Sequence, residues 1–519
     1  MAREKDEAYT SQPILDVFKE IGEQGDKRDS RGLRHPMYCI LVLVLLGFLF
    51  GCTSYREMYR FFQPEDPTQR AAILAQLQTF LNLEHGIPHY STISRALAQL
   101  DPDVLVTMVA ELIGSLLPAQ ENGEKIHICL DGKSIRAAVS RPRTGNNLYI
   151  VNVVAAGYYL FMNQVLVGPK RQEGKVIEEN IAALLNGQPG HCTLDAMGTK
   201  KAILDLLVDM GCDATLPVKS NNETLKKGIV EFILSKVTGD SELVEYFADL
   251  NGYSDDDTPA KVILNTKCNV FDEDNRNVDD AAPETPAPVE VLPMFDDFYS
   301  YANVNGEPVN LNPDNSQLYY VKVGERLVKM VFAHGRLERR EFELVTDPTA
   351  MEAFLLGNNA FGGWNRIVSV GQVTRYRGER RRDPETKQEV WEITVTRTPY
   401  ISTCCQDVRE FASIIRSHWE IEAWHGQVLD KVMKEDACTT RAGNAPENLS
   451  CLRKLAADLV IVEMANRRLA EGSLSTKPAP DGKTLLDGFK RSMESMKQNI
   501  RVLRNLITRR IRSPFKKAQ

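Results

Sequence analysis

At 519 residues the chain has the length for two to four domains and a sizeable core. Hydrophobic residues make up 43% and charged residues 26%, and 33 Gly with 25 Pro are too few for collagen or a mostly disordered chain; a small disulfide scaffold is excluded as well. The net charge of −7 taken alone argues against a nucleic-acid partner, but nine acids against Arg276 between Asp272 and Asp297 hold −8 of it, and ten Lys/Arg against Glu494 from Lys490 onward make a +9 tail.

The N-terminus, MAREKDEAYTSQ, is followed by no apolar h-region, so no secretory signal is expected. The run from Met37 to Cys52 is 16 residues long, short of a bilayer crossing, and reads as a buried core helix. Ten cysteines form no Cys-x-x-Cys pair; buried, reduced thiols in a cytoplasmic protein are expected. Residues 1–120 read as an N-terminal helical domain. In it, Ser91 is a candidate cap for a helix through Arg95 to Leu100. YSTISRALAQL fits either the second helix of a DNA-binding helix-turn-helix or a packed helix of an all-helical domain.

From 121 the pattern changes to KIHICLD, LYIVNVVAA and NQVLVG, then helix VIEENIAALLN, strand HCTLD, helix TKKAILDLLVDMG and strand DATLPVK. This predicts a mixed α/β core whose first part spans 121–230. Residues 231–400 read as a β-rich insertion with an acidic, Pro-rich, disordered loop near 268–298. Helices closing the core are expected over 401–470, and a linker with a basic amphipathic helix over 471–519. In that helix Leu486, Phe489, Met493, Met496, Ile500, Leu503 and Ile507 form a 3-4 seam, suited to dimerisation or to docking on the protein's own core.

Walker A, Gly-x-Gly-x-x-Gly, His-Glu-x-x-His and Gly-x-Ser-x-Gly motifs are absent. What remains is carboxylates at strand ends: Asp131 closes IHICLD and Asp195 closes HCTLD. Two such groups on neighbouring strands can share hard divalent cations, although a strand-terminal Asp taken alone is more often a turn or cap residue. In RSHWEIEAWHGQVLD, Glu420 and Glu422 lie on roughly opposite helix faces, so only one can face the sheet. His418 and His425 flank Glu422 at i−4 and i+3, a spacing that also allows a His/Glu/His zinc face or a plain polar face.

DGKSIRAA, LDAMGTKKAI, LPVKSNNETL, AHGRLERREF, RSHWEIEAWH and LDKVMKEDACTTRAGNAPENLSCLRKLA occur in that order. Together they resemble the insertion-sequence transposases of the ISAs-one type, including the H-repeat-associated proteins of the DDE superfamily. DSRGLRHPMYCILVLVLLGFLFG and GIPHYSTISRAL resemble that family's N-terminal domain, and the resemblance spans about residues 10 to 470.

The resemblance implies an RNase H-like catalytic core, interrupted by the β-rich insertion, with a DDE triad carried by Asp131, Asp195 and Glu422; the Trp-x-Ile-Glu motif selects Glu422 over Glu420. It implies two Mg²⁺ ions, with Mn²⁺ as a substitute, in metal-dependent cleavage at element ends and strand transfer. The implied partners are double-stranded DNA (terminal inverted repeats and target) and a second copy of the chain, with no membrane, in the bacterial cytoplasm and acting on the nucleoid. Lys133, Arg136, Lys219, Arg336, Arg339 and Arg340 are candidates for DNA phosphates, with solvated surface charge as the alternative for each. Arg416, in the family stretch before the acid, and Arg95, on the helix-turn-helix reading, join them. His334 matches the family without an assigned role. Ala423 stands where the family has Asn, Gly426 and Gln427 where it has His-Trp with His425 one place early, and Lys200 and Asn222 where Gln is usual. The competing readings are a metal-dependent nuclease without strand transfer and a catalytically retired transposase kept for DNA binding.

Overall fold

A computed structural model describes residues 9–10, 12–31, 33–118, 125–135, 149–167, 173–237, 244–246, 268–270, 291–293, 317–323, 326–333, 336–357, 363–382, 389–404, 408–471, 482–497 and 500–516. It divides into two compact units, residues 1–214 with 414–519, and residues 215–413. Arg136, His334, most of the acidic 268–298 stretch and the 472–480 linker lie outside the described residues.

The first unit opens with six helices: α1 (Ile14–Gly25), α2 (Met37–Leu49), α3 (Tyr55–Phe62), α4 (Pro67–Gln78), α5 (Tyr90–Gln99) and α6 (Pro102–Gly114). The apolar run forms α2, buried along nearly its whole length because it offers no polar face to water. No helix among the described residues is long and apolar enough to cross a membrane. Asp66 and Asp101 cap α4 and α6, each followed by Pro at the first helical position. The expected Ser91 cap is displaced: the N-cap lies two residues earlier, at the extended His89, and α5 starts at Tyr90. His89 Nδ1 accepts the Ser91 N–H and lies 2.8 Å from the Ser91 hydroxyl.

Five strands follow, β1 (Ile126–Ser134), β2 (Tyr149–Ala155), β3 (Leu160–Val167), β4 (Gly190–Leu194) and β5 (Asp213–Pro217), in the order β3-β2-β1-β4-β5. β1, β2 and β3 are antiparallel neighbours, while β1–β4 and β4–β5 are parallel. Parallel pairs need crossovers, supplied by α7 (Glu173–Leu185) between β3 and β4 and by α8 (Lys201–Asp209) between β4 and β5. Every residue of β2 is buried, which is why YIVNVVA does not alternate.

The unit closes with α11 (Val408–Trp424, from Ile414 onward), a π-helix His425–Val432, α12 (Ala445–Ala470), α13 (Gly482–Lys497) and α14 (Ile500–Thr508). Of the two readings of the C-terminal seam, the structure selects docking on the protein's own core. Phe489, Met493, Met496, Leu503 and Ile507 are buried, with the Phe489 ring 5.6 Å from that of Trp424 and α14 packed on α1.

The second unit holds α9 (Glu223–Val237), short strands β6 (Val244–Tyr246), β7 (Cys268–Val270) and β8 (Val291–Pro293), and the longer β9 (Gln317–Val323), β10 (Arg326–Ala333) and β11 (Arg336–Val345). After α10 (Pro348–Gly357) come β12 (Ser369–Arg382) and β13 (Glu389–Ser402), a long hairpin registered from Ser369↔Ser402 to Arg382↔Glu389. Its neighbours run antiparallel through β11, β10, β9 and β8. β7 and β8 fall where composition predicts loop.

Candidate active site

Alternation along β1 places His127, Cys129, Asp131 and Lys133 on one face. Parallel pairing sets Cys129 against Thr193 and Leu130 against Leu194, so Asp131 and Asp195 are the next residues of two adjacent strands. Neighbouring strands are about 4.8 Å apart, which leaves the two aspartates side by side where β4 ends; Asp131 does not close its strand as expected, because pairing with β2 carries β1 on to Ser134.

The helical segment after Ile414 crosses this face in the direction of β1. His418 Nδ1 lies 2.9 Å from the Thr193 hydroxyl, which is also 2.9 Å from His127 Nε2 and donates to Cys129 Sγ at 3.3 Å. Burial, with His191 and His418 nearby, holds His127 far below the ordinary histidine range, so it is neutral. Seven residues past His418, His425 Nδ1 contacts Asp131 Oδ2 at 2.9 Å, and its ring stacks on Phe161 at 5.6 Å. At 100° per residue, Glu422 lies between His418 and His425 on the same helix stripe, and its side chain is exposed.

Burial by itself would push the Asp131 carboxyl up, but the His425 hydrogen bond and the charge field of His425 and His418 outweigh it and hold the group below the ordinary aspartate value. Asp195 caps the 3₁₀ turn Ala196–Gly198, its Oδ1 accepting the Ala196 N–H at 2.6 Å. Ionised oxygen donors suit a hard divalent cation. Among the described residues, Asp131, Asp195 and Glu422 do not form a group whose oxygens all lie within 4.8 Å of one another. The His418/Glu422/His425 zinc face does not assemble among the described residues; Nδ1 of His418 faces Thr193 and Nδ1 of His425 faces Asp131.

Lys133 is mostly buried, with 11% of its side chain exposed, and meets carboxylates: Asp430 in a short contact, Glu435 at 3.0 Å and Asp436 at 3.7 Å. Burial alone would lower its pKa, but Glu435 and Asp430 raise it above the ordinary lysine value, keeping it charged. Arg95 is exposed on α5 and Arg416 half-buried on α11; Lys219, Arg336, Arg339 and Arg340 belong to the second unit, where Lys219 and Arg340 are half-buried. Sequence reading missed the partners, His425 for Asp131 and Asp430 with Glu435 for Lys133. The acids of LDKVMKED were a signal, but nothing in one dimension pairs them with a strand 300 residues earlier.

A family model described as DDE_Tnp_1-associated matches residues 15–113. "Putative protein YbfL" of Escherichia coli K12 is 22% identical over 84% of this chain and 87% of its own length. "Putative transposase YncI" of E. coli O157:H7 is 23% identical over 86% of this chain and 87% of its own. "H repeat-associated putative transposase YhhI" of E. coli K12 is 22% identical over 84% and 87%. Over most of its length the chain is thus similar to putative transposases, one of them H-repeat-associated. A piggyBac transposase synaptic complex with hairpin DNA aligns over 96% of this chain at 9% identity and TM-score 0.35, too distant to carry a fold argument.

Proposed function

We propose that the chain is an active DNA transposase that cuts phosphodiester bonds at the ends of its own element and joins them to target DNA, with Asp131, Asp195 and Glu422 as the acids that hold two Mg²⁺ ions. The observation that carries the reading is the pairing of Leu130 with Leu194, which makes Asp131 and Asp195 neighbours where the parallel pairing of β1 with β4 ends. The strand order β3-β2-β1-β4-β5, three antiparallel and then two parallel, supports an RNase H-like core. Bound there, the ions would supply charge neutralisation for in-line attack on a phosphodiester.

The chain's own residues prepare that site. His425 keeps Asp131 ionised and fixes its carboxylate plane, while the Ala196 N–H orients Asp195. Glu422 is exposed on a helix tied down on both sides, so a DNA strand can reach it without the helix moving.

Duplex contact is assigned to the surface where α3 meets α5. Arg56, Arg60 and Arg95 are exposed there, Arg56 lies 5.3 Å over the Tyr90 ring, and Tyr59 stacks edge-on with His89 at 5.1 Å. The one acid of α3, Glu57, is turned back to accept from the Thr53 N–H and hydroxyl. A basic, aromatic-interleaved surface suits a phosphate backbone. Two element ends must be held at once, so a homodimer is expected, and light scattering from a purified monomer on DNA would contradict it.

The deciding test incubates the full chain with labelled DNA bearing its element's ends, in Mg²⁺ or EDTA, beside Asp195→Asn. Metal-dependent cleavage lost in the variant is the expected outcome, and joining of a pre-cut end to a second duplex separates transposition from simple nuclease action. Specific binding with no cleavage under any metal would instead leave a retired DNA-binding protein.

A further inference from the structure

The face of β1 that carries Asp131 also carries Lys133, one strand period further on. A lysine directly after the Asp-Gly of a nucleic-acid enzyme invites a phosphate contact. Here its ammonium points the other way chemically: three carboxylates surround it, and 11% of the side chain is exposed. Asp430 belongs to the π-helix that begins at His425, three residues past Glu422, and Glu435 lies just beyond its end.

Glu435 is itself fixed from behind. It accepts from the Ser450 hydroxyl of α12 at 2.8 Å, lies 3.7 Å from Arg453, and has 1% of its side chain exposed. Arg453 in turn donates to the Met433 carbonyl at 3.2 Å. Between Met433 and Glu435, Lys434 adopts φ +54°, a left-handed conformation that a non-glycine residue keeps only where surrounding contacts impose it. The Glu435 N–H reaches back to the Leu429 carbonyl at 2.8 Å and closes the turn. A π-helix is an uncommon, easily relaxed conformation and needs such outside support.

From these contacts we infer that Lys133 is a positioning residue rather than a DNA contact: it pins the π-helix to β1, and so sets His425 against Asp131 and the stripe bearing Glu422 against the sheet. The same face of β1 thereby grips the helical segment at three successive levels, through Cys129 and its neighbour Thr193 to His418, through Asp131 to His425, and through Lys133 to Asp430 and Glu435. Releasing the last grip lets the π-helix relax toward α-helical winding, which rotates His425 and Glu422 relative to the two aspartates. The inference rests on the metal-binding reading of the three acids.

The test titrates Mn²⁺ by calorimetry into the full chain without DNA, for wild type, Lys133→Met, Lys133→Met/Glu435→Gln and Lys133→Arg, each first shown native by circular dichroism. The double variant also removes the buried carboxylate charge that Lys133→Met leaves behind, so it reads out even where the single variant does not fold. Both neutral variants are expected to bind Mn²⁺ about ten- to a hundredfold more weakly, as when a residue supporting metal ligands is lost. Lys133→Arg, which keeps the charge, is expected to restore binding to within about threefold. In the same proteins the slope of log K against log salt for a random duplex of about 30 base pairs stays at the wild-type value, since no phosphate contact is removed. Wild-type Mn²⁺ affinity in a folded neutral variant overturns the inference. If the salt slope also falls by about 0.9, Lys133 belongs to the DNA instead. No Mn²⁺ uptake by the wild type itself overturns the underlying reading of the three acids.

Discussion

Helices α2 and α12 are both buried on nearly all sides, yet they are built from opposite materials. α2 is MYCILVLVLLGFL, without a charged residue, and its role is burial alone. α12 carries Glu447, Asn448, Arg453, Lys454 and Asp458, each at most 9% exposed. Each of the last four makes a hydrogen bond to a strand, a turn or α5: Asn448 donates to the Leu97 carbonyl at 2.8 Å, Arg453 to Met433, Lys454 to Gln164 at 2.6 Å, and Asp458 accepts the Phe161 N–H at 2.9 Å. An apolar helix excludes water but fixes orientation weakly, whereas a buried polar helix is held in register by the specific partners its hydrogen bonds require. The polar helix is the one that reaches the strands and the turn around the candidate site.

The largest effect that sharpens this contrast is expected from Arg453→Met. Removing one partner from a buried charged network costs about 3–5 kcal/mol, and the loss should extend to Mn²⁺ binding through Glu435. Leu43→Ala in α2 should cost a comparable amount, about 2–5 kcal/mol from the cavity, while the folded fraction keeps wild-type Mn²⁺ affinity. Denaturant unfolding paired with calorimetry separates the two, and equal metal affinities would break the contrast. Ser450→Ala, which removes one hydrogen bond to a charged acceptor, should cost about 1.5–3 kcal/mol.

Acid unfolding gives a further test. Burial alone would raise the Glu435 carboxyl, but Lys133, Lys454 and Arg453 bring it from 4.5 down to about 2. A depressed folded-state pKa means that its stabilisation is fully present above the unfolded value and is lost as pH falls from about 4.5 toward 2. Glu435→Gln should flatten that part of the stability profile, and an unchanged acid limb would show that the network is not what fails first. The smallest stability effect is expected from Arg56→Ala/Arg60→Ala/Arg95→Ala. These exposed sites should change stability by no more than about 0.5 kcal/mol each, while the salt slope of duplex binding falls by about 0.9 for every phosphate contact removed. Truncation after Pro480 is a poor substitute for such charge changes, because it would strip Phe489, Met493 and Met496 from the core along with the basic residues.

What the sequence by itself determined follows from local physics. Hydrophobic runs and alternation located β1 to β5 and their crossover helices to within a few residues, since burial period and turn chemistry are encoded over short spans. The uninterrupted apolar run gave α2 directly, and motif order supplied the resemblance from which the choice of Asp131, Asp195 and Glu422 follows. The Ser91 cap was misread because His89, already extended after Pro88, offers a ring nitrogen two places earlier. Tertiary structure alone decided the rest. The heptad seam suited self-docking and dimerisation equally until Phe489 met Trp424. Lys133 looked like a phosphate ligand until strand and turn, some 300 residues apart, brought Asp430 and Glu435 to its ammonium. A charge does not record its partner in the chain around it: electrostatic pairing depends on distance in space, and only the packed fold supplies that distance.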